Sequence, residues 1–254
     1  MNFLKLFSNT GLIAAHRGAR SITPENTMSA LKASVGFCDF IEIDVRLSSD
    51  CVAIIIHDDT LQRTTNVKEI AAFKSREPFR VSDFTFNELS TLDYGSWFSG
   101  EFEPLLTLRN ALAFIKDNKL YMNVQIKDMH NSFCDELVVS TILKEIVDNE
   151  IQSHILLSSF RHEYLSMIKE RVPNIATAAL VEHEHPNRLI EYLKGLHVDA
   201  YHLNDELVDK QTVAKLTNAG FFVNVYTVND QVRAQELFDI GVNAVFSDSL
   251  HKGV

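Results

Sequence analysis

Charged and polar side chains cluster where short apolar runs end, and their types suit chemistry on an anionic substrate. They are His16 and Arg17 after a first run, Glu42 and Asp44 within a second, His57 after a third, and Asn123, Gln125 and Lys127 along a fourth. Glu42 and Asp44 stand two residues apart, which places both side chains on one face of a strand. Two carboxylates buried together repel each other unless a cation or basic groups accompany them. The set therefore predicts a metal-assisted reaction on an anionic substrate.

The elements that would position these residues alternate between apolar runs and amphipathic stretches. The strand candidates are residues 12–15, 40–45, 52–56, 121–126, 155–158, 175–181, 200–203, 222–226 and 244–246, and helical patterns cover residues 25–35, 135–149, 163–171, 187–196, 207–219 and 230–240. This alternation is typical of parallel βαβ units and an α/β fold. Nine strand candidates favour a TIM-type (β/α)8 barrel with one irregular strand connection over an open sheet. We expect one barrel domain over residues 1–254, with catalytic groups at the carboxyl ends of its strands.

Two segments interrupt the alternation. Only residues 46–51 separate the second and third strand candidates, which is too short for a helical crossover, so a hairpin and an irregular barrel connection both remain open. Residues 58–105 form a small insertion after the third strand, with Trp97 and Phe98 in an aromatic cluster and no strong period. Such a segment serves either as a lid over the active face or as a packed insertion.

The composition limits the partners. The chain has 24 basic and 34 acidic residues, a net charge of −10 and a pI near 5.4. An acidic chain without a basic run is expected to bind nucleic acid poorly, because such binding depends on basic residues that neutralise phosphates. No apolar run reaches the roughly 18 residues of a membrane-spanning helix. Cys38, Cys51 and Cys134 are widely spaced and read as reduced thiols. We expect a cytoplasmic protein with a small-molecule substrate and no stable membrane anchor, and the oligomeric state stays open.

Four blocks of the sequence resemble the glycerophosphodiester phosphodiesterase family. They are His16-Arg17-Gly18, Pro24-Glu25-Asn26-Thr27, residues 41–45 and residues 57–66, and the likeness continues through residues 158–160, 224–229 and 241–248. The resemblance covers nearly the whole chain in order. It implies a TIM-type barrel, one divalent cation, and hydrolysis of glycerophosphodiesters to sn-glycerol 3-phosphate and an alcohol.

The resemblance also implies roles for individual residues. His16 and His57 match the family's catalytic acid–base pair, and an imidazole that titrates near neutral pH suits either role. Arg17 and Lys127 match positions that face the substrate phosphate. Attack by water and attack by the glycerol 2-hydroxyl, which would give a cyclic phosphate, both remain open.

Glu42 and Asp44 match metal ligands of the family, and carboxylate oxygens favour Mg²⁺ or Ca²⁺. One departure concerns the third ligand. The family usually has Glu-Ile-Lys on the fourth strand, whereas this chain has Gln125-Ile126-Lys127. Because an amide carries no full charge, we expect weaker metal affinity than in relatives. The harsher reading is a non-catalytic barrel that binds glycerol phosphates.

Further alternatives concern the substrate and single residues. A lysophospholipase D-like or phospholipase C-like enzyme would keep the barrel and accept acyl chains. Tyr226, where the family commonly has tryptophan, either lines the pocket or packs in the core. His183 and His185 fit a solvated loop better than a metal site. Thr23 is expected to cap the first helix.

Overall fold

Eight short strands rich in alanine, valine, isoleucine and leucine close into a parallel barrel in the computed structural model, which describes residues 2–250. The nine strands are β1 Leu12–Ala15, β2 Phe40–Leu47, β3 Ala53–Ile55, β4 Met122–Ile126, β5 Ile155–Ser159, β6 Ala176–Val181, β7 Ala200–Asn204, β8 Phe222–Tyr226 and β9 Ala244–Ser247. Their order is β1-β9-β8-β7-β6-β5-β4-β2-β3, and pairing of β1 with β2 closes the ring. The prediction of a TIM-type barrel is confirmed.

The helices lie mainly between consecutive barrel strands. They are α1 Met28–Ser34, α2 Phe86–Leu89, α3 Ser96–Ser99, α4 Leu108–Asn118, α5 Asp135–Asp148, α6 His162–Arg171, α7 Leu189–Leu196, α8 Lys210–Asn218 and α9 Gln231–Asp239. The sequence patterns did not single out α4, which starts at its capping residue Thr107 directly after the insertion. The expected cap of α1 was wrong: Thr27, not Thr23, accepts the amide hydrogen of Ala30. Residues 24–27 are thereby left outside the helix and available to the site.

Aromatic side chains close the amino-terminal end of the barrel. A 3₁₀ helix, Phe3–Ser8, places Phe3 with its ring centroid 5.3 Å from that of Phe40, and Phe7 lies 5.0 Å from Phe222. Phe3 and Phe40 are almost fully buried. Because this end is filled, the carboxyl end of the barrel is the end that a ligand can enter.

The irregular connection is a hairpin. β3 runs antiparallel to β2, with Val45 opposite Ile55. It pairs with the carboxyl-terminal part of β2, beyond the residues that pair with β1, and is not itself a barrel strand. The return of the chain brings Ile56 N–H to the carbonyl oxygen of Asp44 at 3.0 Å. His57 is therefore delivered to the carboxyl end of the barrel by the return strand of a hairpin.

The insertion packs onto this hairpin. Residues 58–105 build a separate apolar cluster against β3, which includes Ile54, Phe79 and Phe84. Trp97 and Phe98 are partly exposed, and their ring centroids lie 5.6 Å apart. Since no residue of 58–105 lines the cavity described below, the packed insertion describes this segment better than a lid.

Candidate active site

The residues singled out in the sequence converge on one cavity. It lies at the carboxyl end of the barrel and has a volume of about 460 Å³, within the range of small-molecule sites. Six of the seven predicted site residues line it: His16, Arg17, Glu42, His57, Gln125 and Lys127. Asp44 is buried and contacts two of them, because Lys127 Nζ and Arg17 Nε each lie 3.4 Å from its carboxylate.

His16 follows β1 and is held by a carboxylate from the far end of the chain. Its Nδ1 lies 2.7 Å from Oδ1 of Asp248, directly after β9. Because a carboxylate only accepts, Nδ1 carries the proton and Nε2 keeps a lone pair. Burial lowers the pKa of His16, and the bond to Asp248 opposes that shift. Although burial alone would raise it, the hydrogen bond from His16 lowers the pKa of Asp248 to about 2.

His57 has the same kind of partner. Its Nδ1 lies 2.6 Å from Oδ1 of Asp58, and Arg63 Nε donates to Oδ2 of that carboxylate at 2.7 Å. The hydrogen bond from His57, followed by that from Arg63, holds the pKa of Asp58 well below its usual range. The carbonyl oxygen of His57 also accepts a hydrogen bond from Arg46 Nε at 3.0 Å. These contacts fix both the main chain and the ring of His57, and neither of them involves Nε2.

The two carboxylates of β2 differ in their partners. Asp44 accepts a hydrogen bond from Asn26 Nδ2 at 2.9 Å. Burial would raise the pKa of Asp44, but the charges of Lys127 and Arg17 hold it well below its usual range. Glu42 accepts the main-chain N–H of Arg17 at Oε2, 2.8 Å away, and its Oε1 has no hydrogen-bond partner. Burial, with the charge of Asp44, raises the pKa of Glu42 to about 8. An additional cation at this point would stabilise Glu42 in its ionised form.

Gln125 lies beside this pair. Its amide satisfies both neighbours when the nitrogen donates to Asp44 Oδ1 at 3.2 Å and the oxygen accepts from Lys127 Nζ at 3.3 Å. In the opposite orientation the amide oxygen of Gln125 faces the carboxylate of Asp44. A cation bound by both Gln125 and Asp44 would require this orientation. Within residues 2–250, no cluster of three histidine, cysteine, aspartate or glutamate side chains could hold a metal ion. A metal at this site would therefore rely on two carboxylates and the neutral amide oxygen.

Glu25 links the surroundings of His16 and His57 through ion pairs. The sequence patterns did not indicate this link. Its carboxylate is 3% exposed; Oε1 accepts from Arg17 Nη1 at 2.9 Å and from Arg63 Nη2 at 2.7 Å. Oε2 lies 2.9 Å from Arg20 Nη2, and Arg20 Nη1 lies 3.4 Å from Asp248. A continuous series of ion pairs thus runs from the partner of His16 to that of His57. The local sequence around Glu25 does not indicate this role, because Arg63 lies 38 positions away and meets Glu25 only in the folded chain.

The remaining candidates lie at the rim or apart from the site. Tyr226 satisfies both readings, since it lines the cavity and its hydroxyl donates to the carbonyl oxygen of Val181. His183 is largely exposed and pairs only loosely with Glu182, while His185 Nδ1 lies 3.2 Å from the hydroxyl of Tyr201. The solvated-loop interpretation fits His183, whereas His185 is half-buried against Tyr201; neither histidine belongs to a possible metal cluster within residues 2–250.

The fold is a (β/α)8 barrel, and the cavity at its carboxyl end brings two histidine–aspartate pairs next to a buried carboxylate pair. The model of the glycerophosphoryl diester phosphodiesterase family matches residues 16–252. The chain belongs to this family, whose members are phosphoric diester hydrolases.

Individual relatives agree over almost their whole length. The glycerophosphodiester phosphodiesterase of Bacillus altitudinis is 30% identical over 246 residues, which cover 93% of this chain and 94% of the relative. That of Caldanaerobacter subterraneus subsp. tengcongensis is 30% identical over 243 residues, with 93% of each chain covered. A phosphodiesterase of Oleispira antarctica, solved with the product sn-glycerol 3-phosphate, superposes with a TM-score of 0.85 at 30% identity, covering 96% of both chains.

Proposed function

We propose that this protein hydrolyses glycerophosphodiesters to sn-glycerol 3-phosphate and an alcohol, with His16 and His57 as the acid–base pair. The observation that carries the proposal is that each imidazole bonds a carboxylate through Nδ1, at 2.7 Å and 2.6 Å, while both rings line one cavity. Each Nε2 is thereby available to a substrate.

The two histidines supply the proton transfers that phosphodiester cleavage needs. One accepts the proton of the attacking hydroxyl, and the other donates a proton to the departing alkoxide. Asp248 and Asp58 fix the tautomer and stabilise the imidazolium that forms during the transfer. Attack by water and attack by the glycerol 2-hydroxyl need the same two transfers, so both routes are compatible with this arrangement.

Positive charge at the mouth would bind the phosphate. Arg17 and Lys127 line the cavity next to Asp44, and guanidinium matches phosphate oxygens in bidentate geometry. They provide a local positive field in a chain of net charge −10.

The family is generally dependent on a divalent metal ion. We assign its binding to Glu42, Asp44 and Gln125, supported by the unpartnered Oε1 of Glu42 and by the oxygen-only donor set. Such donors suit Mg²⁺ or Ca²⁺. When bound, the ion would offset the negative charge that develops on the phosphate oxygens.

The proposal is tested with chelator-treated protein resupplied with Mg²⁺ or Ca²⁺. Glycerophosphocholine should release glycerol 3-phosphate, and His16→Ala or His57→Ala should abolish the release. His183→Ala, in the exposed loop, serves as the matched control and should retain it. Turnover of lysophospholipids alone would instead identify a lysophospholipase D-like enzyme.

The non-catalytic reading also has an observation behind it. Lys127 and Arg17 already neutralise Asp44, and Gln125 adds no charge. Binding of glycerol 3-phosphate without any turnover in either metal would establish that reading and overturn the proposal.

Among residues 2–250, no helix has the length and apolar character needed to cross a membrane. All three cysteines are free. These thiols support our proposal that the protein works in a reducing compartment such as the cytoplasm.

A further inference from the structure

Glu25 lies at the centre of a symmetric series of ion pairs that reaches the aspartate partner of each histidine. On one side its Oε1 accepts a hydrogen bond from Arg63 Nη2 at 2.7 Å, and Arg63 also donates to both oxygens of Asp58, at 2.7 and 3.0 Å. On the other side its Oε2 lies 2.9 Å from Arg20 Nη2, and Arg20 Nη1 lies 3.4 Å from Asp248 Oδ1. One arginine and one aspartate therefore separate Glu25 from either histidine.

The main chain on both sides of Glu25 is fixed by hydrogen bonds of its own loop. The N–H of Asn26 donates to the carbonyl oxygen of Arg17 at 3.0 Å, and the hydroxyl of Thr27 donates to that of Pro24 at 2.7 Å. The side-chain amide of Asn26 is also bonded to β2 through both its nitrogen and its oxygen. The carboxylate of Glu25 is therefore held in place by its loop, and the arginines are anchored to it.

The charge of Glu25 is buried and faces only cations. Its side chain is 3% exposed, and Arg17, Arg20 and Arg63 all approach it within 2.9 Å. Burial alone would raise the pKa of Glu25, but the hydrogen bond from Arg63 and the charges of the arginines lower it. Glu25 is therefore ionised near neutral pH. Without this carboxylate, three guanidinium groups would lie close together with less negative charge between them.

Each arginine that Glu25 holds also serves a residue of the cavity. Arg20 and Arg63 contact the carboxylates that bind His16 and His57. Arg17 donates from Nη1 to Glu25 at 2.9 Å and itself lines the cavity. A carboxylate that served stability alone would not need arginines that all end at the site.

We propose that Glu25 is a positioning residue for the reaction: through Arg20 and Arg63 it holds the aspartate partners of both histidines, so that one carboxylate sets the pH range in which both proton transfers work. This role rests on the proposed function, which assigns those transfers to His16 and His57. Glu25 does not line the cavity, so it acts through the arginines and not on the substrate.

Other charged groups act on the two imidazoles directly. His16 is influenced by Asp248, Arg17 and Asp44, and His57 by Asp58 and Asp44. All of these groups remain when Glu25 alone is replaced by glutamine, which has the same shape. A change in Glu25→Gln therefore reports the path through Arg20 and Arg63 and the lost charge itself.

The pH dependence of kcat/KM for glycerophosphocholine, measured at saturating Mg²⁺, provides the test. In such a profile the essential base sets one limb and the essential acid sets the other. Glu25→Gln removes a negative charge and leaves the three guanidinium groups, which makes both imidazolium ions less stable. We expect both limbs to move to lower pH, by about half a unit or more.

Arg20→Met separates the two sides of the series. It removes a positive charge beside Asp248 and leaves the bonds between Arg63 and Asp58 intact. The imidazolium of His16 becomes more stable, so we expect the limb that His16 sets to move to higher pH, while the other limb stays. Arg20→Lys keeps the charge and should restore the profile. Arg20→Met also keeps the role testable if Glu25→Gln does not fold.

Glu145→Gln is the matched control for loss of a carboxylate that binds an arginine. Glu145 accepts hydrogen bonds from Arg109 at both oxygens, on helices outside the barrel. Its profile should equal that of the unmodified protein. Circular dichroism confirms that every variant is folded at the temperature of the assay.

NMR of the Nδ1 protons of His16 and His57 reports the same arrangement without turnover. Both protons are bonded to carboxylates, and His16→Ala and His57→Ala identify their signals. We expect Glu25→Gln to shift both signals and Arg20→Met to shift that of His16 alone.

Unchanged limbs in folded Glu25→Gln, when the unmodified protein hydrolyses glycerophosphocholine, would overturn the positioning role and leave Glu25 a purely structural residue. If the unmodified protein hydrolyses nothing, the proposed function fails and the NMR signals decide. Signals that respond to Glu25→Gln would then keep the link between Glu25 and the histidines, whereas unchanged signals would reject it as well.

Discussion

His16 Nδ1 lies 2.7 Å from Asp248 Oδ1, although the two residues are 232 positions apart in the chain. The contact exists because β1 pairs with β9, with Ala15 opposite Ser247, and each strand ends next to the other. Closure of the barrel therefore assembles one of the two histidine sites. His57, by contrast, obtains its carboxylate from the next residue in the sequence.

Asp248→Asn should reduce kcat for glycerophosphocholine by about 10²-fold or more, with a smaller change in KM. The amide no longer stabilises a protonated His16 and can hold the wrong tautomer. Steady-state kinetics with metal present measure the effect. Asp117→Asn, on the exposed side of α4, is the control, and a kcat equal to that of the unmodified protein would exclude this role for Asp248.

Glu25→Gln should destabilise the fold by about 2–4 kcal/mol at pH 7, because three arginines lose a buried carboxylate partner. Burial alone would raise the pKa of Glu25, but the bond from Arg63 and the charges of Arg17 and Arg20 lower it below 4.5. A carboxylate with a lowered folded-state pKa stabilises the fold above its unfolded pKa, and this contribution disappears as the pH falls through the folded value.

The stability difference between the unmodified protein and Glu25→Gln should therefore be full at pH 7 and shrink as the pH drops below 4.5. Urea unfolding of both proteins across this range measures it. A difference that stays constant with pH would show that the charge of Glu25 does not matter.

Gln125→Glu should raise the affinity for Ca²⁺ and Mg²⁺ by about tenfold or more, since a full charge replaces an amide dipole beside the carboxylate pair. Calorimetric titration of the metal-free protein measures both ions. Gln211→Glu, on the exposed start of α8, controls for the added charge alone. If Gln125→Glu and the unmodified protein bind metal equally, Gln125 is not a ligand position.

Phe3→Ala should cost about 3–5 kcal/mol of unfolding free energy, because Phe3 is fully buried against Phe40 and Tyr121 at the closed end of the barrel. Activity per folded molecule should persist, since this end lies opposite the cavity. Phe102→Ala, at 64% exposure, should change stability by less than about 0.5 kcal/mol. Thermal unfolding measures the stability of both variants. Loss of specific activity in folded Phe3→Ala would contradict the conclusion that the closed amino-terminal end of the barrel takes no part in the site.

The sequence by itself determined the strand–helix alternation, because apolar periodicity is a local property that burial on a two-sided sheet imposes. It also predicted that Glu42 and Asp44 share one face of a strand, since period-two alternation decides which side chains point the same way. It placed His16 and His57 where strands end. The short segment at residues 46–51 excluded a helical crossover between the second and third strands. It left a hairpin and an irregular barrel connection as the two possibilities.

Only the tertiary structure decided between a hairpin and an irregular barrel connection. It also supplied the hydrogen-bond and ion-pair partners of the site residues. The antiparallel return of β3 depends on pairing with Val45, and the network of Glu25 depends on Arg63, a residue 38 positions away. Such groups meet only when the ring of strands closes, because hydrogen-bonded register, not local propensity, fixes which distant side chains face each other inside a barrel.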